Sequence, residues 1–161
     1  MKANFKTLTV IVVWITLAGV LFYFFNEQLH PNTDEKLSQG SEVTLKRDMS
    51  GHYRAEAVIN GIKTNIMVDT GATNVSISRE LADRLGLQSN LAVRTQTANG
   101  EVIAYKTRLE TVRIGGIEAS NVAAIIVPDL GTDVLLGMSF LGRMDVRLHK
   151  GYMTIRSVSN Q

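Results

Sequence analysis

Among the 161 residues, the tripeptide Asp69-Thr70-Gly71 carries the most chemical potential. It follows Ile66-Met67-Val68, an apolar run of the kind that forms a buried strand, and it continues into Ala72-Thr73. A peptide carbonyl resists attack by water unless a base takes the water's proton and an acid polarises the carbonyl. Two carboxylates sharing one proton can do both, because like charges held close do not both ionise easily. Thr70 supplies a hydroxyl without a competing charge, and Gly71 permits a tight turn that brings backbone N–H groups near the Asp69 carboxylate. Ala72 completes the supporting loop. The chain holds one such tripeptide, so the second carboxylate is expected from a second copy, with a C2 axis placing Asp69 opposite its symmetry mate. Asp129, Asp133 and Asp145 read as loop carboxylates. Asp133 is the within-chain alternative, because it immediately precedes Val134-Leu135-Leu136.

Other chemistries are disfavoured. Without cysteine there is no disulfide framework, thiol nucleophile or Cys-ligated zinc site. His30, His52 and His149 are scattered and lack metal-ligand spacing, so neither a metal nor a cofactor is expected. No glycine-rich phosphate loop or βαβ alternation is present, which disfavours nucleotide-binding folds.

The elements that must hold Asp69 are mostly strands. Tyr53 to Ile59 and Ile62 to Val68 flank Asn60-Gly61, a strong two-residue hairpin signal. Val75 to Ile77 is a short strand, and Ser78 can cap a short helix, Arg79 to Leu85, that ends at Gly86. Leu81 and Leu85 then share its packed face, while Arg79 and Arg84 read as solvated. A second Asn-Gly turn, Asn99-Gly100, lies between strand-like runs from Leu91 to Arg113, and Gly115-Gly116 marks a third turn. Val122 to Val127 reads as a buried strand stopped by Pro128, Val134 to Gly137 as another with a short helical turn after it, and Val146 to Leu148 with Tyr152 to Ile155 as a last hairpin. Many short strands with frequent turns and one short helix predict an all-β domain, a small barrel or sandwich.

The N-terminus is different in kind. Thr7 to Phe25 carries no charge and is mostly Val, Ile, Leu and Phe. As a helix it spans roughly 28 Å, close to the hydrocarbon thickness of a bilayer. Phe22-Tyr23-Phe24-Phe25 suits an aromatic belt, and Lys2 and Lys6 on one side with Glu27, Asp34 and Glu35 on the other place the start in the cytoplasm by the positive-inside rule. The competing reading is a signal peptide cut near Thr16-Leu17-Ala18. The expected organisation is a stub at 1–6, a transmembrane anchor at 7–25, a tether at 26–41 that holds the domain off the bilayer, and a domain at 42–158. All 15 acidic residues lie at or after Glu27, and from there on acidic and basic residues are equal in number. The net charge of +2 and the pI near 9 thus come from the two N-terminal lysines, which argues against a nucleic-acid partner.

In these pieces the chain resembles the single-domain, retropepsin-like (clan AA) aspartic proteases, in particular their membrane-anchored bacterial family. The resemblance rests on Met67 to Thr73, Leu85-Gly86-Leu87, Thr97 to Gly100, Val112 to Ile117 and Leu135 to Leu141, in the family's order over about Tyr53 to Ile155. It implies a retroviral-protease-like closed β barrel active as a C2 homodimer, with Asp69 as the catalytic carboxylate. It implies that Leu135, Leu136 and Gly137 form a strand that buttresses the Asp69 loop. It also implies that Ala98, Asn99 and Gly100 form a flap over a peptide or protein substrate, and that Thr70 grips its counterpart across the dimer. Thr73 departs from the acidic residue common in retroviral enzymes. The expected function is an aspartic endopeptidase on the periplasmic side of a bacterial inner membrane, held there by a single span. The alternative is a non-catalytic, membrane-tethered dimeric interaction module with the same fold, which has no evident need for an intact Asp-Thr-Gly.

Overall fold

Asn60 and Gly61 have φ of +45° and +84°, the left-handed pair that a two-residue hairpin turn needs. They join β2 (Tyr53–Ile59) to β3 (Ile62–Val68) in full antiparallel register, Tyr53 opposite Val68 and Ile59 opposite Ile62. The computed structural model describes residues 5–29, 32, 40–97, 100–131 and 134–158. The chain order within them is α1 (Phe5–Leu29), β1 (Glu42–Lys46), β2, β3, β4 (Val75–Ser78), α2 (Arg79–Arg84), β5 (Ala92–Thr97), β6 (Gly100–Ile114), β7 (Ile117–Val127), β8 (Val134–Leu136), α3 (Met138–Leu141), β9 (Met144–His149) and β10 (Tyr152–Ser157).

The larger sheet runs β2-β3-β8-β4-β7-β6-β5, and a further pairing of β2 with β6, at Val58–Arg113 and Ile59–Val112, closes six of its strands into a barrel. β5 stays outside the closure and, among the described residues, pairs only with β6. A three-stranded sheet, β1-β10-β9, brings the two ends of the domain together. Alternation explains the barrel: Ala55, Ala57 and Ile59 of β2 and Ile66 and Val68 of β3 point inward and are buried. They pack with Ile77, Leu81, Leu109, Val112, Ile126, Leu136 and Phe140 in one core that also takes Leu45 and Ile155 of the terminal sheet.

The helix Arg79–Arg84 forms as expected, with Ser78 Oγ accepting from Leu81 N at 3.1 Å, and Leu81 buried. Arg79 is not merely solvated: its guanidinium lies 5.2 Å from the Tyr105 ring centroid. β6 matches the run that the sequence shows after Asn99-Gly100, but β7 starts five residues before the apolar run at Val122, because it pairs with β6 from Ile114–Ile117 to Tyr105–Ile126. Cross-strand hydrogen bonds extend β7 past the start of its apolar run.

The apolar N-terminal helix runs on to Leu29, four residues past the expected end at Phe25. Asn26, Glu27, Gln28 and Leu29 continue a helix readily, and Pro31 is the first residue that opposes one. Its Thr7–Leu29 stretch is long and apolar enough to cross a membrane, a property shared by signal sequences.

Candidate active site

Asp69 sits where two neighbouring strands part. β3 runs parallel to β8, with Met67 beside Leu135 and Val68 beside Leu136, while β4 runs antiparallel to the other side of β8. The chain from Asp69 to Asn74 must therefore arch over the end of β8. Its start is fixed by Asp69 N donating to Leu136 O at 3.1 Å. Its crest is a tight turn in which Ala72 N donates to Asp69 O at 3.3 Å and Gly71 N donates to the Asp69 carboxylate at 2.8 Å. A methyl group on Gly71 would lie 3.2 Å from that carboxylate oxygen, a tight contact that would push on the Asp69 side chain.

Gly137 holds the arch from beneath. A Cβ there would meet Asn74 O at 2.2 Å and Ala72 O at 2.7 Å, so only glycine allows this approach. The next two residues complete the cradle, with Met138 N donating to Ala72 O at 2.8 Å and Ser139 N to Thr73 O at 2.9 Å. The Ser139 hydroxyl ties the far end, accepting from Val75 N at 2.9 Å and donating to Ala123 O at 2.7 Å. Leu136 is fully buried behind the loop, and Leu135 faces the other way, into a cleft.

That cleft has a volume of about 640 Å³. Its floor is Met67, Asp69, Gly71 to Asn74, Ser76 and Leu135. One wall is Ile125, Val127, Asp129 and Leu130; His52 stands at another; and Thr95, Gln96 and Thr97 of β5 form the roof. The roof belongs to the β5–β6 hairpin, whose register pairs Thr97 with Gly100, and Thr97 Oγ1 donates to Gly100 O at 2.9 Å. Gly100 has φ of +109°. Ala98 and Asn99 lie outside the described residues, as does Asp133. Thr70 is at the exposed crest of the loop.

The structure thus brings together Asp69, Gly71, Ala72 and Leu135 at one cleft, with Gly137 locking the loop and Leu136 filling the space behind it. Sequence reasoning passed over Ser139, although a hydroxyl two residues after Gly137 in an otherwise apolar stretch was a usable signal. It also treated Asp129 as an ordinary loop carboxylate, whereas Asp129 is the other carboxylate lining this cleft among the described residues. His52 is placed by a neighbouring turn. Its N–H donates to Asp48 Oδ1 at 2.9 Å, Ser50 Oγ donates to the same oxygen at 2.7 Å, and Arg54 Nε is 3.2 Å from Oδ2. Burial of Asp48 acts to raise its pKa, but the hydrogen bonds from Ser50 and His52, with the Arg54 charge, outweigh it and hold the carboxyl below its ordinary value of 3.8.

A closed six-strand barrel with an Asp-Thr-Gly loop locked over a Leu-Leu-Gly strand, beneath a hairpin roof, defines the retropepsin-like aspartic protease fold. The comparisons agree. Residues 55–143 match the family described as "gag-polyprotein putative aspartyl protease", and the chain belongs to that retropepsin-like family. The crystal structure of a retropepsin-like aspartic protease from Rickettsia conorii is similar at 32% identity and a TM-score of 0.63, over 71% of this chain and 98% of that one. An uncharacterized protein in the cobV 5′ region of a Sinorhizobium species is 35% identical over 109 residues, 65% of this chain and 47% of its own length. The uncharacterized protein RP867 of Rickettsia prowazekii (strain Madrid E) is 38% identical over 107 residues, 63% of this chain and 45% of its own length. The chain spans about half the length of these curated relatives.

Proposed function

We propose that this protein is an aspartic endopeptidase in which the Asp69 carboxylates of two chains, related by a C2 axis, activate one water between them. The observation that carries the reading is the locked loop: Asp69 is presented to a roofed cleft by an arch that packs directly on Gly137, where a side chain would strike the backbone at Asn74 and Ala72. A scaffold kept only for binding gives no reason to constrain one carboxylate so closely. Asp69 of one subunit, ionised, takes the proton of the water as it attacks the scissile carbon. Asp69 of the other, protonated, donates to the carbonyl oxygen, and the pair then returns a proton to the leaving amine. The substrate lies extended between the loop and the β5–β6 hairpin, with Ala98, Asn99 and Gly100 as flap tip and backbone hydrogen bonds to the roof strand. Thr70, at the exposed crest, is placed to meet its counterpart across the axis.

The domain boundaries follow with one change from the sequence pattern: an anchor at 7–29, a connection at 30–41 and the protease domain at 42–158. Retention of the apolar helix, with Lys2 and Lys6 on the cytoplasmic side, puts the domain in the periplasm of a bacterial inner membrane.

Asp69→Asn should lower peptide cleavage by about 10²–10⁴-fold or more with folding unchanged, as judged by circular dichroism and melting. Asp129→Asn and Asp133→Asn should leave turnover within a few-fold. Loss of turnover in either loop variant, with Asp69→Asn still active, would overturn the intersubunit pair.

A further inference from the structure

Asn32 is 93% buried, which is unexpected for a residue in a tether. Its side-chain amide donates to Lys46 O at 2.8 Å and to Arg54 O at 2.7 Å, and its carbonyl accepts from Lys46 N at 2.7 Å. Lys46 ends β1 of the terminal sheet, and Arg54 is the second residue of β2 in the barrel. The Asn32 amide acts as a peptide group would, stitching the two sheets where β1 and β2 diverge. α1 ends at Leu29, only three residues earlier. Three extended residues reach at most about 10 Å. The end of the domain that holds Asn32 therefore stays within that distance of the end of α1.

The surface there has a particular chemistry. Lys46 pairs with Tyr152, and Arg47 N donates to Gly151 O at 2.8 Å, so the turn after β1 and the β9–β10 turn lie side by side. Residues 46–54 and 148–152 carry four Lys and Arg side chains and a single carboxylate, Asp48, which is 5% exposed and occupied by Arg54. Met49 is 68% exposed and Tyr152 48% exposed beside these cations. Exposed Met and Tyr on the same two adjoining turns as Lys46, Arg47 and Lys150 fit an interface of apolar chains and anionic headgroups.

We propose that Asn32 is a docking peg that seats this end of the domain, through Arg47, Met49, Lys150 and Tyr152, on an anionic lipid surface, replacing the free tether that the composition of 26–41 indicates. The inference rests on the retained-anchor reading of α1 given above. It also brings the cleft residue His52, on the same turn as Met49, to the bilayer side.

The chain has no cysteine, so single thiols report position without background. Full-length Asp69→Asn protein, in which proteolysis plays no part, is reconstituted into phosphatidylcholine vesicles with or without phosphatidylglycerol and a headgroup-quencher lipid. A fluorophore is placed at Met49→Cys, or at Glu118→Cys next to the β6–β7 turn at the opposite end of β2. Quenching should be several-fold stronger at position 49 than at 118. It should weaken without phosphatidylglycerol, in high salt, and in an Arg47→Gln/Lys150→Gln variant. Asn32→Ala should shrink the contrast between the two sites; if it fails to fold, the charge variant, which leaves the peg intact, carries the test. Equal quenching at both sites in protein that floats with the vesicles overturns the docked orientation alone. Protein that does not float overturns the anchor reading and the inference together, and neither result bears on the Asp69 chemistry.

Discussion

The floor and the roof of the cleft are built on opposite principles. The floor, from Asp69 to Asn74, is fixed by backbone hydrogen bonds to Leu136, Met138 and Ser139, by glycine at two close approaches, and by the Ser139 hydroxyl spanning two strands. The roof is a hairpin whose outer strand, β5, has one neighbour and alternates between exposed and half-buried residues with none buried. Its packing is a small separate cluster, with Val93 and Val102 against Ala104, Ile125 and Val127. The proposed role of Asp69 fits the rigid floor, because misplacing a catalytic carboxylate by an ångström weakens proton transfer and positioning together. Under the proposed function the hairpin is the cover over an extended substrate, and a cover that opens and recloses is drawn from the less stable part of a structure.

Gly137→Ala attacks the floor most directly. The new methyl must displace the backbone at Asn74 and Ala72, so a loss of about 3 kcal/mol or more is expected, with turnover abolished even in the fraction that folds. Thermal melting and an activity assay check it. A melting temperature near that of the parent would show that the arch is slacker than the contacts imply. Ser139→Ala leaves Val75 N and Ala123 O without their partner and should cost about 1–3 kcal/mol, with a fall in kcat that exceeds any change in KM.

Asp48→Asn sharpens the comparison at the cleft edge, because a carboxylate ties this turn together beside Gly51, whose φ is +89°. The folded-state pKa of Asp48 lies below its ordinary 3.8, so its contribution is present in full above that value and lost as pH falls through the folded one. The variant should be less stable than the parent by about 1–3 kcal/mol at neutral pH, and the two melting curves should converge in strong acid. A gap that persists at the lowest pH would assign the effect to something other than the charge.

The smallest effect is expected in the roof. Val102→Ala should cost at most about 1 kcal/mol of global stability, and its main signature should be faster amide exchange along β5 and a raised KM. Equal exchange protection for β5 and β8 in the parent protein would remove the distinction between roof and floor.

Most strands could be read from alternation and turn chemistry, and so could Asp69 and its loop, because an apolar strand ending in Asp-Thr-Gly is a local pattern. Asn60-Gly61 placed its hairpin to the residue, since both positions need a positive φ that few residues accept. Other features were not local. The roles of Ser139 and Asn32 depend on hydrogen bonds to groups far along the chain, and a serine in a helical turn or an asparagine beside a proline looks ordinary in sequence. The length of β7 was underestimated because pairing with β6, rather than side-chain pattern, sets where it begins.

The kind of chemistry available, the mostly-β character and the apolar helix are each written in contiguous residues, through charge, periodicity and backbone freedom. Tertiary structure alone decided what surrounds Asp69 and where the chain enters the domain. β8 is inserted between β3 and β4, so residues about 65 positions apart become the two halves of one cradle. Closure of the barrel through β2 and β6 fixes the strand neighbours that frame the cleft. These outcomes follow from satisfying buried backbone groups across the whole fold at once, which no local stretch of sequence can specify.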